Sequence, residues 1–148
     1  MKTVIFILII CSLIQETIWP LDLVLIILIC RSMIKTDSAN LYLAFFFGLF
    51  NSHLSLEPLG LRSLVYLVLV EVTQMLSRSR FSSHPLLIIP ISLLGLSFSA
   101  VVGGIVTNQS IRIFPGVIFE SALSLPIFYL VRLWEERFIV RGDIKLKV

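Results

Sequence analysis

Long apolar runs separated by short charged islands are the feature that most constrains the fold of this chain. Runs of this kind are typical of helices that have lipid as their solvent. Of the 148 residues, 57% are hydrophobic and 14% are charged, which leaves too few polar residues to cover a water-soluble domain. The pattern predicts an all-α, polytopic helical membrane protein with about six transmembrane helices. The predicted spans are Thr3 to Trp19, Leu21 to Ile34, Ala39 to Phe50, Leu61 to Leu76, Pro85 to Val106 and Ile113 to Leu133.

The first four spans are short for a bilayer. A helix of roughly 16 residues reaches about 24 Å, against a hydrocarbon core of about 30 Å. Spans two and three are therefore expected either to thin the bilayer locally or to enter it without crossing fully. Lys2 and the apolar run after it have the shape of a signal peptide, but no small-residue cleavage site follows, so this run is expected to remain as the first helix.

The distribution of basic residues predicts the orientation of the chain. With the amino terminus in the cytoplasm, only Arg62 and Arg112 fall outside, whereas the external loops hold Glu16, Asp22 and Glu57. Because short cytoplasmic loops carry an excess of Lys and Arg, both termini are predicted to be cytoplasmic. The basic residues on that side would be Lys2, Arg31, Lys35, Arg78, Arg80, Arg132, Arg137, Arg141, Lys145 and Lys147.

The spans define one domain and a tail. Residues 1–134 are expected to form a six-helix transmembrane domain, and residues 135–148 a short charged cytoplasmic tail too small to fold alone. Trp19 and Trp134 stand at the ends of spans, where interfacial anchors belong.

Two polar residues, Glu71 and Gln74, lie inside span four. A charge at the bilayer centre costs roughly 2.5 to 3.5 kcal/mol, so such residues usually face protein or water. Glu71, Gln74 and Arg78 follow one another at helical spacing, which favours a ladder of contacts along one helix. Contact with a partner helix and the handling of protons or ions are the alternatives.

A third intramembrane polar group lies in span six. Glu120 is followed at helical spacing by Ser121, Ser124 and Pro126, and the proline frees a backbone carbonyl that a hydroxyl or a neighbouring helix must satisfy. This arrangement predicts an internal polar seam. A role in packing is favoured over a role in ligand binding.

Small residues recur in span five. Gly95, Ser99 and Gly103 are spaced four residues apart, which lets two helices approach closely. They are expected to form a helix-packing or partner-binding face, with packing inside the protomer favoured.

No constellation typical of catalysis or of metal binding occurs in the sequence. His53 and His84 are isolated, Cys11 and Cys30 stand singly in apolar runs, and neither a nucleophile elbow nor a phosphate-binding loop is present. The net charge of +3 comes with no cluster of five basic residues, which argues against nucleic acid as a partner. The chain is expected not to be an enzyme and to bind neither a metal nor a cofactor.

Turn residues between the spans form a motif of their own, which includes Asp22, Asn51, Pro58 and Gly60. Asp22 is placed to cap the positive amino end of span two, and Pro58-Leu59-Gly60 is placed to make a tight entry into span four.

With these residues the chain resembles the bacterial rod shape-determining protein MreD family. The similarity lies in the order of three stretches, residues 19–27, 48–51 and 56–61, and in a proline-containing last helix with Pro115, Ser121, Pro126 and Phe128. The sequence departs from the family pattern in three places. Leu21 separates Pro20 from Asp22, Asn51 stands where an acidic residue is common, and Glu120 is an unusual charge in the last span.

The resemblance implies a non-enzymatic, multi-pass component of the bacterial inner (cytoplasmic) membrane that works in the machinery of lateral cell-wall elongation. Its partners would be an MreC-like protein, an MreB-like filament and peptidoglycan synthases, besides the lipid bilayer. The alternative is a substrate-binding membrane subunit of a small-molecule, vitamin-type transporter, in which Glu71 and Glu120 would line a pocket.

Overall fold

A computed structural model describes residues 2–18, 21–56, 58–79, 84–108 and 116–143. This part of the chain is all-helical, as the sequence predicts. Each predicted span corresponds to one α-helix, and a short 3-10 turn at Pro85–Leu87 precedes the fifth helix. The helices are α1 Lys2–Thr17, α2 Leu23–Ile34, α3 Ser38–Leu54, α4 Leu61–Arg78, α5 Ile88–Thr107 and α6 Gly116–Asp143.

Helix α2 lies at the centre of the bundle. It contacts each of the other five helices, and its residues from Val24 to Ile26 and from Leu28 to Cys30 are fully buried. A helix that is apolar on all sides is expected to be buried in this way. Its 12 residues span only about 18 Å, and its neighbours shield that short length from the surroundings.

Two segments within the described helices are long and apolar enough to cross a membrane, residues 85–106 and 116–137. Only 22% of an 18-residue apolar window in each segment is buried inside the bundle. Large apolar side chains also cover the outside of the other helices, with Phe6, Phe46 and Leu64 each about two-thirds exposed. An apolar exterior on this scale favours association with a membrane.

Helices α3 and α4 approach each other closely at Gly48. A Cβ atom added at Gly48 would overlap the Cα atom of Ser63 and would lie 2.8 Å from its backbone nitrogen. The Ser63 hydroxyl donates to the carbonyl oxygen of Phe45 at 3.1 Å across the same crossing. Glycine at position 48 is therefore what lets these two backbones meet.

Side-chain contacts define two ends of the bundle. At the Asp22 end, the last turns of α1 and α3 meet the first turns of α2 and α4, as in the 3.0 Å hydrogen bond from Gln15 to Asp22. At the Arg31 end, the last turns of α2 and α4 meet, and the Ser77 hydroxyl donates to the carbonyl oxygen of Met33 at 2.9 Å. Consecutive helices from α1 to α4 thus run antiparallel.

Helix α6 extends beyond its predicted end at Leu133 and continues to Asp143. The sequence between Pro126 and Gly142 holds no proline or glycine that would end a helix, and Glu135 is anchored against α2 by Arg31. Much of the predicted tail is therefore a continuation of the last helix.

Several residues named above lie outside the described ranges, namely Trp19, Pro20, Glu57, Arg80, Arg112, Pro115, Lys145 and Lys147.

Candidate functional site

Polar side chains from five parts of the bundle meet in one buried group at the Asp22 end. We refer to it as the polar cluster. It brings together three residues that the sequence singles out in separate runs, Asp22, Asn51 and Glu120, with three that it does not. Its members are Ser12 and Gln15 on α1, Asp22 before α2, Asn51 on α3, Tyr66 on α4 and Glu120 on α6.

Asn51 is the centre of the polar cluster and is fully buried. Its side-chain oxygen accepts a hydrogen bond from the Ser12 hydroxyl, and its Nδ2 atom donates to the Tyr66 hydroxyl at 3.2 Å. Tyr66 is also fully buried. One amide thus ties α1, α3 and α4 together, and each of its two side-chain polar atoms has a partner.

Gln15 performs the capping role that the sequence assigns to Asp22. Asp22 occupies the N-cap position of α2, but its side chain makes no capping hydrogen bond within the described part of the chain. The Gln15 side chain instead accepts from the backbone N–H of Val24 at 3.3 Å and donates to Asp22 Oδ1 at 3.0 Å. The prediction of a local cap by Asp22 is wrong, because the backbone N–H of Val24 at the start of α2 bonds to the Gln15 side chain from α1 instead.

Glu120 attaches the first turns of α6 to the polar cluster. Its carboxylate lies beside Asp22 at the start of α2, and the side chain is half-buried. Two carboxylates therefore lie beside the amino terminus of α2. The positive end of the helix dipole stabilises negative charge there.

A more exposed ion pair borders the polar cluster. The Glu16 carboxylate accepts from Arg62 at 3.0 Å and from the Ser55 hydroxyl at 2.6 Å. These contacts link the end of α1 to the turn between α3 and α4. In that turn Gly60 has a φ of +95°, and the N–H of Leu61 donates to the Pro58 carbonyl oxygen at 3.3 Å. A left-handed residue is required there, and glycine adopts this conformation without strain.

The two polar residues of α4 face different surroundings. Gln74 is buried, and its Nε2 atom donates to the backbone carbonyl oxygen of Asp37 at 3.1 Å. Glu71 is exposed and makes no hydrogen bond or ion pair with any residue that the structure describes. The ladder that the spacing of Glu71, Gln74 and Arg78 favours is not formed, because Gln74 bonds to the start of α3 instead.

Serine residues of α5 and α6 form a second, smaller polar contact. The Ser92 hydroxyl donates to Ser124 Oγ at 2.9 Å, and Ser124 donates in turn to the carbonyl oxygen of Ser121 at 2.5 Å. The Cys30 thiol donates to the Ser124 carbonyl oxygen at 3.6 Å. This seam holds α2, α5 and α6 together, while Glu120 belongs to the polar cluster.

The three small residues of α5 do not form one contact surface. A Cβ atom at Gly95 would lie 3.1 Å from Ile29 and 3.7 Å from Leu69, so this glycine packs against α2 and α4. Ser99 is half-buried. A Cβ atom at Gly103 would meet no atom within 4 Å in the described part of the chain.

Sequence reasoning missed the buried ion pair at the Arg31 end. Arg31 and Glu135 lie 3.2 Å apart with side chains 5% and 9% exposed. A signal for it exists. Buried positions on α6 follow a repeating four-and-three spacing, namely Val117, Ser121, Ser124 and Phe128. Glu135 lies one full repeat after Phe128 and is therefore on the same face of the helix.

A groove of about 380 Å³ opens beside this ion pair, between α1, α2 and α6. Its walls are almost entirely apolar, with Ile7, Ile27 and Leu130 among them, and Arg31 and Glu135 lie at one end. This volume is within the range of small-molecule sites, about 300 to 1,000 Å³.

The polar groups of the cluster are arranged to hold helices together. Their hydrogen-bonding atoms are directed at one another, and no group of three or more His, Cys, Asp or Glu that could hold a metal ion occurs within the described ranges. The site thus has the chemistry of a structural lock.

The chain matches no family model, no curated protein and no solved structure.

Proposed function

We propose that this protein crosses the bacterial cytoplasmic membrane six times and acts there as a non-enzymatic scaffold of the cell-wall elongation machinery. The observation that carries the proposal is the polar cluster. Its buried polar groups are used to lock five parts of the bundle to one another, while the outer faces of the helices remain apolar and broad. A rigid body with apolar faces is suited to binding other membrane proteins.

The position of α2 supports six crossings. In lipid a short helix has to be shielded or the bilayer has to thin around it. Here the shortest helix is surrounded by the other five, and α1, α3 and α4 present apolar side chains outward. This packing supports counting α2 as a span.

The charges at the two ends support the orientation. Of the basic residues in the described ion pairs, Arg31, Lys35 and Arg132 lie toward the Arg31 end, and Arg62 lies toward the Asp22 end. The positive-inside rule then favours a cytoplasmic Arg31 end, with both termini on that side.

The partners follow from the resemblance to the MreD family. They are an MreC-like protein, an MreB-like filament and peptidoglycan synthases. The turn after α3, with Ser55, Leu56 and Gly60, would contact external partners, and the basic Arg31 end would contact cytoplasmic ones.

The groove between α1, α2 and α6 favours a second candidate function, that of a substrate-binding membrane subunit of a transporter. Its apolar walls would suit a hydrophobic molecule, and the ion pair at one end would orient a polar group. In this case the protein would work beside ATPase subunits.

Co-purification from native membranes tests the proposal. The tagged chain is extracted in mild detergent, and its partners are identified by mass spectrometry. A matched variant, Asn51→Leu, has the same tag but a broken polar cluster. Recovery of an MreC-like protein and wall synthases with the wild-type chain, reduced in the variant, is the expected result. Recovery of ATPase transporter subunits in their place would overturn the scaffold and favour the second candidate.

A further inference from the structure

The outer face of α4 is an apolar stripe with a carboxylate within it. Leu64 and Met75 are each 64% exposed and Val68 is 50% exposed, and Glu71 lies between Val68 and Met75 on the same face. The opposite side of α4 packs against α2 and α3. The stripe is therefore turned away from the bundle.

The spacing of these residues is that of a helix-packing seam. Leu64, Val68, Glu71, Met75 and Arg78 follow one another at alternating steps of four and three, and we refer to these five residues as the α4 seam. This repeat keeps one side of a helix facing a second helix along its whole length. A polar residue at one position of such a seam fixes the choice and register of the partner.

Glu71 has no partner among the residues that the structure describes. Gln74, one turn further along the same helix, does have one in Asp37. A carboxylate that faces lipid is strongly disfavoured, and such residues in membrane helices usually pair with another group. A basic side chain from another membrane protein would satisfy this carboxylate.

We propose that the α4 seam binds one membrane-spanning helix of a different protein, which places a basic side chain opposite Glu71. The same helix would place an acidic group opposite Arg78, about 10 Å nearer the cytoplasm at 1.5 Å per residue. Charge complementarity selects this occupant, and Leu64, Val68 and Met75 provide the apolar contact on both sides of the pair.

Other occupants fit the seam less well. Two copies of this chain share one orientation in the membrane, so a symmetric contact through α4 would bring Glu71 against Glu71. A lipid amine would have to reach past Met75 and Leu76, which are exposed on the cytoplasmic side of Glu71. Both occupants are nevertheless outcomes that the experiment can detect.

Photo-crosslinking in native membranes tests the proposal. A photoreactive amino acid replaces Val68 or Met75 in the α4 seam, and replaces Leu94 on α5 as the control. Leu94 is 70% exposed, close to the 64% of Met75, but lies on another helix. The expected product joins the seam positions, and not position 94, to one protein whose membrane-spanning helix carries a basic residue.

Charge substitution then tests the pairing. Glu71→Leu is expected to lower the cross-linking yield at position 75 at least about tenfold. Glu71→Lys, combined with replacement of the partner's basic residue by Glu, is expected to restore it. Gel filtration in detergent verifies that each variant keeps the size of the wild-type protein.

Several results would overturn the proposal. They are a cross-link to a second copy of the chain, adducts with lipid alone, equal labelling from position 94, or an unchanged yield with Glu71→Leu.

This inference rests on the proposed function in that it assigns one partner contact of the scaffold, and the two can fail separately. If wall-elongation proteins co-purify equally with the wild-type chain and with Glu71→Leu, the scaffold stands and the seam does not. If the cross-linked helix carries the expected basic residue but no wall-elongation protein co-purifies, the binding of a helix at the α4 seam is supported and the scaffold function is contradicted.

Discussion

The Arg31 guanidinium on α2 lies 3.2 Å from the Glu135 carboxylate on α6, and the two side chains are 5% and 9% exposed. The pair joins residues 104 positions apart in the sequence. Removal of one member of a buried ion pair leaves the other charge without compensation, which costs more than the pair contributes. The contact therefore fixes the end of α6 against the central helix.

The first prediction concerns this pair. Glu135→Ala is expected to lower the free energy of unfolding by about 3 to 5 kcal/mol, because it removes the carboxylate that lies 3.2 Å from the buried Arg31 guanidinium. The measurement is unfolding in mixed detergent micelles, followed by circular dichroism. The control is Glu136→Ala on the same helix, since Glu136 pairs with Arg132 at 2.9 Å but both side chains are more than half exposed. That variant should cost at most about 1 kcal/mol. Equal losses for the two variants would contradict a buried, structural pair.

The second prediction concerns the centre of the polar cluster. Asn51→Leu is expected to lower the free energy of unfolding by about 1 to 3 kcal/mol, because the hydroxyls of Ser12 and Tyr66 lose their shared partner. The same unfolding measurement applies. Tyr66→Phe should cost about 0.6 kcal/mol and at most about 1.7 kcal/mol, the mean and the maximum found for hydrogen bonds between membrane helices. Tyr42→Phe is its matched control, because Tyr42 is 68% exposed. A loss at Tyr42 as large as that at Tyr66 would count against the cluster as a lock.

The third prediction concerns the crossing of α3 and α4. Gly48→Ala is expected to destabilise the protein by about 1 to 3 kcal/mol, because the new methyl group would overlap the backbone of Ser63 and push the helices apart. Gly103→Ala is the matched control. A Cβ atom there would meet no described atom within 4 Å, and alanine favours a helix over glycine by about 1 kcal/mol, so stability should hold or rise. The reverse order of the two effects would show that the helices cross elsewhere.

The sequence predicts the helices of this protein well and their contacts less well. Apolar runs and their breakers locate all six helices, because these signals are local. The charged residues after Leu133 predict a tail, but α6 continues to Asp143 because charge alone does not end a helix. The four-and-three spacing that leads to Glu135 is the signal that could have corrected this.

The polar cluster shows why the remainder could not be read from one sequence. Asn51, Asp22 and Glu120 are visible as polar groups in or beside apolar runs, but their partners Ser12, Gln15 and Tyr66 come from other helices. The choice of Gln15 over Asp22 as the cap of α2 depends on how α1 packs, which no local pattern encodes. The central place of α2 likewise follows from packing, although its uniformly apolar surface is consistent with it.

The scaffold and the α4 seam both require that the bundle cross the membrane six times, and cysteine labelling tests this requirement most directly. Single cysteines are introduced into a chain whose Cys11 and Cys30 are replaced by serine, and intact cells are treated with a thiol reagent that cannot cross the membrane. The positions sample each connection between helices, with the substitutions Ile18→Cys, Thr36→Cys, Leu56→Cys, Ser79→Cys and Asn108→Cys. We predict labelling at positions 18, 56 and 108, and labelling at 36 and 79 only after the cells are opened. Labelling of 36 or 79 in intact cells, or protection of 56, would contradict the six crossings and the account built on them.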